Sequence, residues 1–244
     1  MVVQQAHGFC VRQAGVQTWS FVLLFKFSAG SQRCAPKPAT APSAKTLPAS
    51  IKRRQKRLDK LITIINQFAN ISEQAKNELF DIVSMKGFDK GSYIVEQGKT
   101  CKHLYFIKSG FLRGFYYQDG KEITSWFASE NDAVTSMYSF ISQKPSFETI
   151  EVLEDSTLFE ISYENLQFLF KKYPQFNLIG RLLTEKYYIE LEERTMSLQF
   201  QTATERYLRL LKQQPQLLQK ASLGMIASYL GISQETLSRI RNKI

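Results

Sequence analysis

An α+β architecture is predicted: a jelly-roll-like N-terminal β-roll with flanking helices, a long helix, and a C-terminal helix-turn-helix. Three observations carry it. Residues 87–162 hold short β-branched and aromatic runs punctuated by turn residues, residues 175–200 hold apolar side chains at heptad spacing, and residues 223–241 hold the apolar spacing, turn glycine and polar face of two short helices. At 244 residues and 43% hydrophobic content, the chain can build one large or two ordinary domains around cores of their own.

The elements are justified in chain order. Residues 28–57 are rich in Ala, Pro, Ser, Lys and Arg, with Pro36, Pro38, Pro42, Pro48 and the basic run Lys52-Arg-Arg-Gln-Lys-Arg57. The expectation is a disordered basic leader over 1–57 that need not belong to the native product. Phe21-Val-Leu-Leu-Phe-Lys-Phe27 is short, carries Lys26 and lacks a small-x-small cleavage site, which argues against a secretory signal. No run reaches the roughly 18 apolar residues of a membrane span, so a soluble, cytoplasmic protein without a membrane partner is expected.

From Lys60 to Ser84, Leu61, Ile64, Ile65 and Phe68, then Ala75, Leu79, Ile82 and Val83, fall on two amphipathic helices with Ser72 as the N-cap between them. Strands are expected at 93–95, 104–107, 111–117, 123–127, 149–153 and 158–161. Their separators are Lys90-Gly91, Gln97-Gly98, Ser109-Gly110, Asp119-Gly120 and Lys144-Pro145. Short strands so spaced form a small barrel or roll. Leu166, Leu169 and Phe170 share a face of a helix over 163–173, and Pro174 stops it. A helix over 175–200 then repeats Leu182, Ile189 and Met196 at intervals of seven, which gives a seam for a homodimer; burial against the chain's own roll is the alternative.

At the C-terminus, Ile226, Ala227 and Leu230 line one face, Gly231 supplies the turn, Ser233 caps the next helix, and Ile232, Leu237 and Ile240 point inward. Gln234, Glu235, Thr236, Ser238, Arg239 and Arg241 remain outside, where side chains can bond base edges and phosphates. An ordinary αα-hairpin is the alternative. Charge favours double-stranded DNA as the partner: residues 194–244 hold eight Lys/Arg against Glu205 and Glu235. The formal charge of +10 is weaker support, because eleven basic residues and one acid fall in 1–60, leaving 21 of each in 61–244.

Several chemistries are excluded. Cys10, Cys34 and Cys101 fit neither a disulfide framework nor a Cys-x-x-Cys metal site, and are too few for an iron-sulfur sensor. With His7 and His103 as the only histidines, no zinc hydrolase, cupin oxygenase or haem sensor can be assembled in the roll. No cofactor, no metal and no catalytic residue are expected, and the chain reads as non-enzymatic.

Four stretches carry a family resemblance: Lys90-Gly-Ser-Tyr-Ile-Val-Glu-Gln-Gly98, Leu104-Tyr-Phe-Ile-Lys-Ser-Gly-Phe-Leu-Arg113, Gly120-Lys-Glu-Ile123, and Ile226-Ala-Ser-Tyr-Leu-Gly-Ile-Ser-Gln-Glu-Thr-Leu-Ser-Arg-Ile240. In this order, over about residues 58–244, the chain resembles the Crp/Fnr superfamily of bacterial transcription regulators. The resemblance implies a cyclic-nucleotide-binding-like roll over 58–174, a dimerisation helix over 175–200, a helix-turn-helix DNA-binding domain over 201–244, and RNA polymerase as a further partner. It puts major-groove contacts on Gln234, Glu235 and Arg239, and with the polar face read from the spacing the expected DNA-binding set is Ser233, Gln234, Glu235, Thr236, Ser238, Arg239 and Arg241.

Two departures stand out. Cyclic-nucleotide-binding members carry Gly-Glu and, about ten residues later, Arg-Ser or Arg-Thr, because a cyclic phosphate needs a cation and a ribose hydroxyl an acceptor. Here Thr135-Ser136 and Ser146-Phe147 occupy those places, and Lys144 is the only cation nearby. A small-molecule effector other than cyclic AMP is expected, among Phe127, Thr135, Ser136, Met137, Tyr138, Lys144, Ser146 and Phe147; plain core packing of the aromatics is the alternative. The second departure is that the chain ends at Ile244, where many members continue into a β-wing. The competing functional class is a ligand-sensing or protein-interaction module with weak or no specific DNA binding.

Overall fold

The structure is a computed structural model. It describes the backbone from Ala49 and the side chains from Leu58, in both cases to Ile244. The expected leader up to residue 48 lies outside the described residues. Helix α1 (Ala49–Asn66) begins directly after Pro48 and overruns the boundary expected at 58, so residues 49–57 are helical rather than disordered. The reason is local: no Gly or Pro interrupts 49–66, and Lys, Arg and Gln are good helix formers. Leu58, Leu61, Ile64 and Ile65 are buried on one face of α1.

Helix α2 (Glu73–Ile82) starts where the Ser72 hydroxyl accepts the Ala75 N–H at 3.3 Å, and buries Ala75, Leu79 and Phe80. The expected continuation to Ser84 does not occur. Val83 closes α2 in an extended conformation, and strand β1 (Ser84–Phe88) follows because its backbone finds partners along Ser156 to Glu160.

The remaining strands are β2 (Tyr93–Val95), β3 (His103–Gln118), β4 (Lys121–Ser129), β5 (Ala133–Val134) and β6 (Thr149–Ser162). All pair antiparallel, in the order β1-β6-β3-β4, with β2 added to β6 and β5 to β3. Two pairs of expected strands are fused here. Ser109-Gly110 does not end a strand; it is absorbed as a register shift within β3, with Ser109 opposite Thr157 and Phe111 opposite Glu154. Gly110 has φ +121°, and a Cβ there would lie 2.8 Å from the Ser156 Cα. Asp119 and Gly120, at φ 51° and 74°, do form the expected turn, a two-residue hairpin between β3 and β4.

A short α3 (Met137–Ser142), absent from the sequence reading, precedes β6. Then come α4 (Tyr163–Lys172), α5 (Pro174–Phe200), α6 (Ala203–Gln213), α7 (Leu217–Lys220), α8 (Leu223–Tyr229) and α9 (Gln234–Arg241). Pro174 ends α4 and also occupies the first turn of α5, where its missing N–H costs nothing.

Three apolar clusters hold these layers. One joins α1, α2, α4 and the start of α5 to Phe106, Phe159 and Ile161; a second fills the roll around Ile107, Leu112, Ile150, Val152 and Leu158; a third joins α6 to α9 with Phe111 and Leu153 of the roll. The C-terminal unit therefore shares its core with the roll. Arg113, 3% exposed on β3, ties the neighbouring strands together by bonding Glu122 of β4 and Glu151 of β6. Gly110→Ala is expected to destabilise the chain by about 1–3 kcal/mol, since it combines overpacking against backbone with an unfavourable φ. A urea midpoint equal to that of the unaltered protein would show the position to be tolerant.

Candidate functional site

Helices α8 and α9 are joined by a turn in which Gly231 has φ +66°. The Ser222 hydroxyl accepts the Met225 N–H, and the Ser233 hydroxyl accepts the Thr236 N–H at 3.2 Å, so each helix is capped by its own serine. Ile226, Ala227, Leu230, Leu237 and Ile240 are buried and Ile232 is partly buried, all within the C-terminal cluster. Of the expected contact residues, Ser233, Gln234, Glu235, Ser238, Arg239 and Arg241 are exposed. Thr236 is half-buried, with its hydroxyl bonded to Ser233 and Arg239. The hydrogen bond from the Ser233 side chain holds the Glu235 carboxyl below the usual carboxylate range, which keeps it an acceptor.

This helix pair is anchored to the roll and to α5. The Ser228 hydroxyl accepts the Thr124 N–H at 2.8 Å, and Lys220 pairs with Glu154 at 2.6 Å. Arg194, on α5, donates to the carbonyls of Tyr229 and Thr124 while its guanidinium lies 4.4 Å from the centre of the Tyr229 ring. Phe127 of β4 stacks on Phe111 and meets Tyr229 edge-on at 5.3 Å.

Between β4, the segment just before β6, α5 and the C-terminal helices lies a cavity of about 680 Å³. An adjoining, more enclosed space of about 370 Å³ reaches toward the helical core and shares Trp126, Phe127 and Tyr187 with it. The expected effector residues divide here. Phe127, Ser136, Tyr138 and Phe147 line the larger cavity, and Phe127, Thr135 and Met137 line the adjoining one. Thr135, Ser136 and Ser146 are buried and already bonded: Thr135 donates to the His103 carbonyl, and the hydroxyls of Ser136 and Ser146 bond each other at 2.8 Å. Lys144 is exposed and lines neither space.

Sequence reasoning missed Trp126, Glu148 and Tyr187, which also line the larger cavity. Trp126 lies across Gly114, its cross-strand partner, where a Cβ would come within 2.2 Å of the indole. Its Nε1–H donates to the Glu148 carboxylate at 2.9 Å. Burial pushes the Glu148 carboxyl up, against the opposing pull of hydrogen bonds from Trp126 and Ser136. The only advance signal was an acid two residues after Ser146, ahead of the strand expected at 149–153.

On α5, Ile189 and Met196 are 57% and 54% exposed, whereas Leu182 is half-buried. Leu191, Leu198 and Phe200 add further exposed apolar surface. Among the described residues, no helix is long and apolar enough to cross a membrane, and no group of three or more His, Cys, Asp or Glu is placed to hold a metal ion.

The raised Glu148 pKa has a defined effect on stability. The folded state holds this proton more tightly than the unfolded chain does, so stability falls as pH rises from the unfolded to the folded pKa. Gln keeps an acceptor for Trp126 and carries no charge. Glu148→Gln is therefore expected to be stabilising at pH 7–8 and close to neutral below pH 4, and a thermal-melt difference independent of pH would refute the assignment.

Residues 85–173 match the cyclic nucleotide-binding domain family. No curated protein sequence matches the chain significantly. Among solved structures, the chain is similar to FixK2 from Bradyrhizobium japonicum, with 21% identity over 66% of this chain and 84% of that one and a TM-score of 0.56. It is similar to CLP, a c-di-GMP-responsive global regulator of Xanthomonas campestris, with 22% identity, 70% and 91% coverage, and a TM-score of 0.57. A Crp/Fnr-family protein from Eubacterium rectale shares 22% identity over 71% of this chain and 83% of that one, with a TM-score of 0.58. The chain thus carries a cyclic nucleotide-binding-type domain within the fold of the Crp/Fnr regulators.

Proposed function

We propose that the chain is a sequence-specific, DNA-binding transcription regulator of Crp/Fnr type, soluble, non-enzymatic and homodimeric, whose roll senses a small molecule other than cyclic AMP. The observation that carries this reading is the α8–α9 pair: two capped helices around a positive-φ glycine, with Gln234, Glu235 and Arg239 exposed on the second. A helix so presented fits the major groove, where Arg239 can fork onto guanine and Glu235 can accept from cytosine N4. Arg239 and Arg241 lie in the last turn, suited to the groove's flanking phosphates.

Dimerisation is supported by the exposed Ile189 and Met196 on a helix long enough to pair with a second copy. Two copies would present two recognition helices to half-sites a helical turn apart. The effector reading rests on the cavity between the roll and α5. A cyclic phosphate is disfavoured there because Glu148 borders the space, Lys144 does not, and the arginines on the wall, Arg194, Arg206 and Arg209, are bonded to protein groups.

Site selection from random duplexes with the full chain is the direct test. An enriched palindrome, bound with a steep salt dependence, is the expected result; absence of enrichment would favour a sensing module that does not read sequence. Arg239→Ala should weaken binding to the enriched site by about 1–3 kcal/mol and relax preference at one base pair per half-site. The basic leader is common to both proteins, so it cancels in that comparison. An unchanged preference would remove Arg239 from the reading set.

A further inference from the structure

We propose that the cavity bordered by Trp126, Tyr138, Phe147, Glu148 and Tyr187 binds a small organic cation, a protonated amine or a quaternary ammonium, with Glu148 as its counter-ion. The inference rests on the reading of this cavity as the effector site and adds the charge class of the effector.

Four observations converge. First, the Glu148 carboxylate is half-buried, accepts a hydrogen bond from the neutral indole of Trp126, and forms no ion pair among the described residues. A carboxylate withdrawn from water without a cation is an unfavourable arrangement that a cationic occupant would relieve.

Second, the cations on the cavity wall are already engaged. Arg194 bonds the carbonyls of Tyr229 and Thr124, Arg206 bonds those of Leu230 and Gln201, and Arg209 pairs with Glu193 at 2.6 Å. An anionic ligand placed against Trp126 would also meet the Glu148 carboxylate. Glu190 of α5 also borders the space, and its pairing with the exposed Lys186 is loose, at 3.7 Å. Of the three carboxylates on the wall, Glu193 is held by Arg209 and Glu190 by Lys186, which leaves Glu148 as the one without an ion pair among the described residues.

Third, the wall is aromatic. The Tyr138 and Phe147 rings lie 4.6 Å apart, centre to centre, at 37°, and are 47% and 65% exposed. Tyr187 borders the same space from α5. Ring faces attract cations, most strongly where water is scarce. Fourth, Trp126 is held in place: it lies against Gly114 on one side and is tethered through Nε1 to Glu148, so indole and carboxylate form one preorganised unit. Burial that raises the Glu148 pKa agrees with a site that is electrostatically incomplete when empty.

The test is calorimetric titration of the full chain with choline, with its neutral carbon isostere 3,3-dimethyl-1-butanol, and with cyclic AMP. Choline is expected to bind at least tenfold more tightly than the isostere. Glu148→Gln, checked for folding by circular dichroism, should remove that preference by weakening choline tenfold or more while leaving the isostere unchanged. Equal binding of choline and the isostere, choline binding indifferent to Glu148→Gln, or binding of cyclic AMP alone would overturn the cation assignment and leave the effector reading standing. Binding of none of the three also overturns the assignment. The effector reading falls with it only if Phe127→Leu, which alters the ring shared by the cavity and the C-terminal helices, leaves DNA affinity unchanged.

Discussion

The antiparallel pairing of β3 with β6, from His103 opposite Ser162 to Phe115 opposite Thr149, is the constraint on which the other parts depend. At one end it delivers Phe106, Phe159 and Ile161 to the cluster shared with α1, α2 and α4. Farther along it places Phe111 and Leu153 in the core of the C-terminal helices. In the β3–β4 ladder on the other side of β3, Gly114 stands opposite Trp126, and Glu148 stands immediately before β6 begins. A slip of one residue in either pairing would turn the side chains of the shifted strand to the opposite face. Gly110 makes the pairing possible by bringing β3 against the Ser156 backbone at a spacing no other residue would fit.

Helix α5 is the second shared component. Its first turns bury Phe176 and Ile179 against the helical core, its middle contributes Tyr187 and Glu190 to the cavity, and Arg194 then reaches both the roll and the α8–α9 pair. One helix thus touches the core, the cavity and the C-terminal unit in succession. Arg194 suits the junction because its planar guanidinium fork can donate to two carbonyls while its face lies against a ring, a geometry that the point charge of a lysine ammonium does not preorganise.

Much of this was legible in the sequence, and the exceptions have physical causes. Gly231 and Ser233 were readable because a positive φ and an N-cap each demand a narrow set of residue types. The Asp119-Gly120 hairpin was readable for the same reason. Ser109-Gly110 misled because a glycine that ends a strand and a glycine that lets two strands approach look identical without the partner strand. The start of α1 was missed because a basic run has no apolar periodicity, although its helix propensity is good. In the cavity, Thr135, Ser136 and Ser146 were singled out by alignment to a phosphate site, yet their hydroxyls are engaged in packing the α3 segment. Trp126, Glu148 and Tyr187 meet only through three separate elements, a relation that linear spacing does not encode.

The ring series Phe111, Phe127 and Tyr229 has a thermodynamic consequence. Phe127 borders the cavity on one side and touches Tyr229, at the end of α8, on the other. An occupant that favours one placement of this ring would bias the helix pair to the extent that the Phe127–Tyr229 contact couples the two. Under the proposed function, linkage makes that relation reciprocal: whatever factor a cavity occupant contributed to DNA affinity, DNA would contribute to the affinity of the cavity. Operator sequence would then tune the sensitivity of the sensor, so that two promoters of unequal affinity respond to different concentrations of one signal.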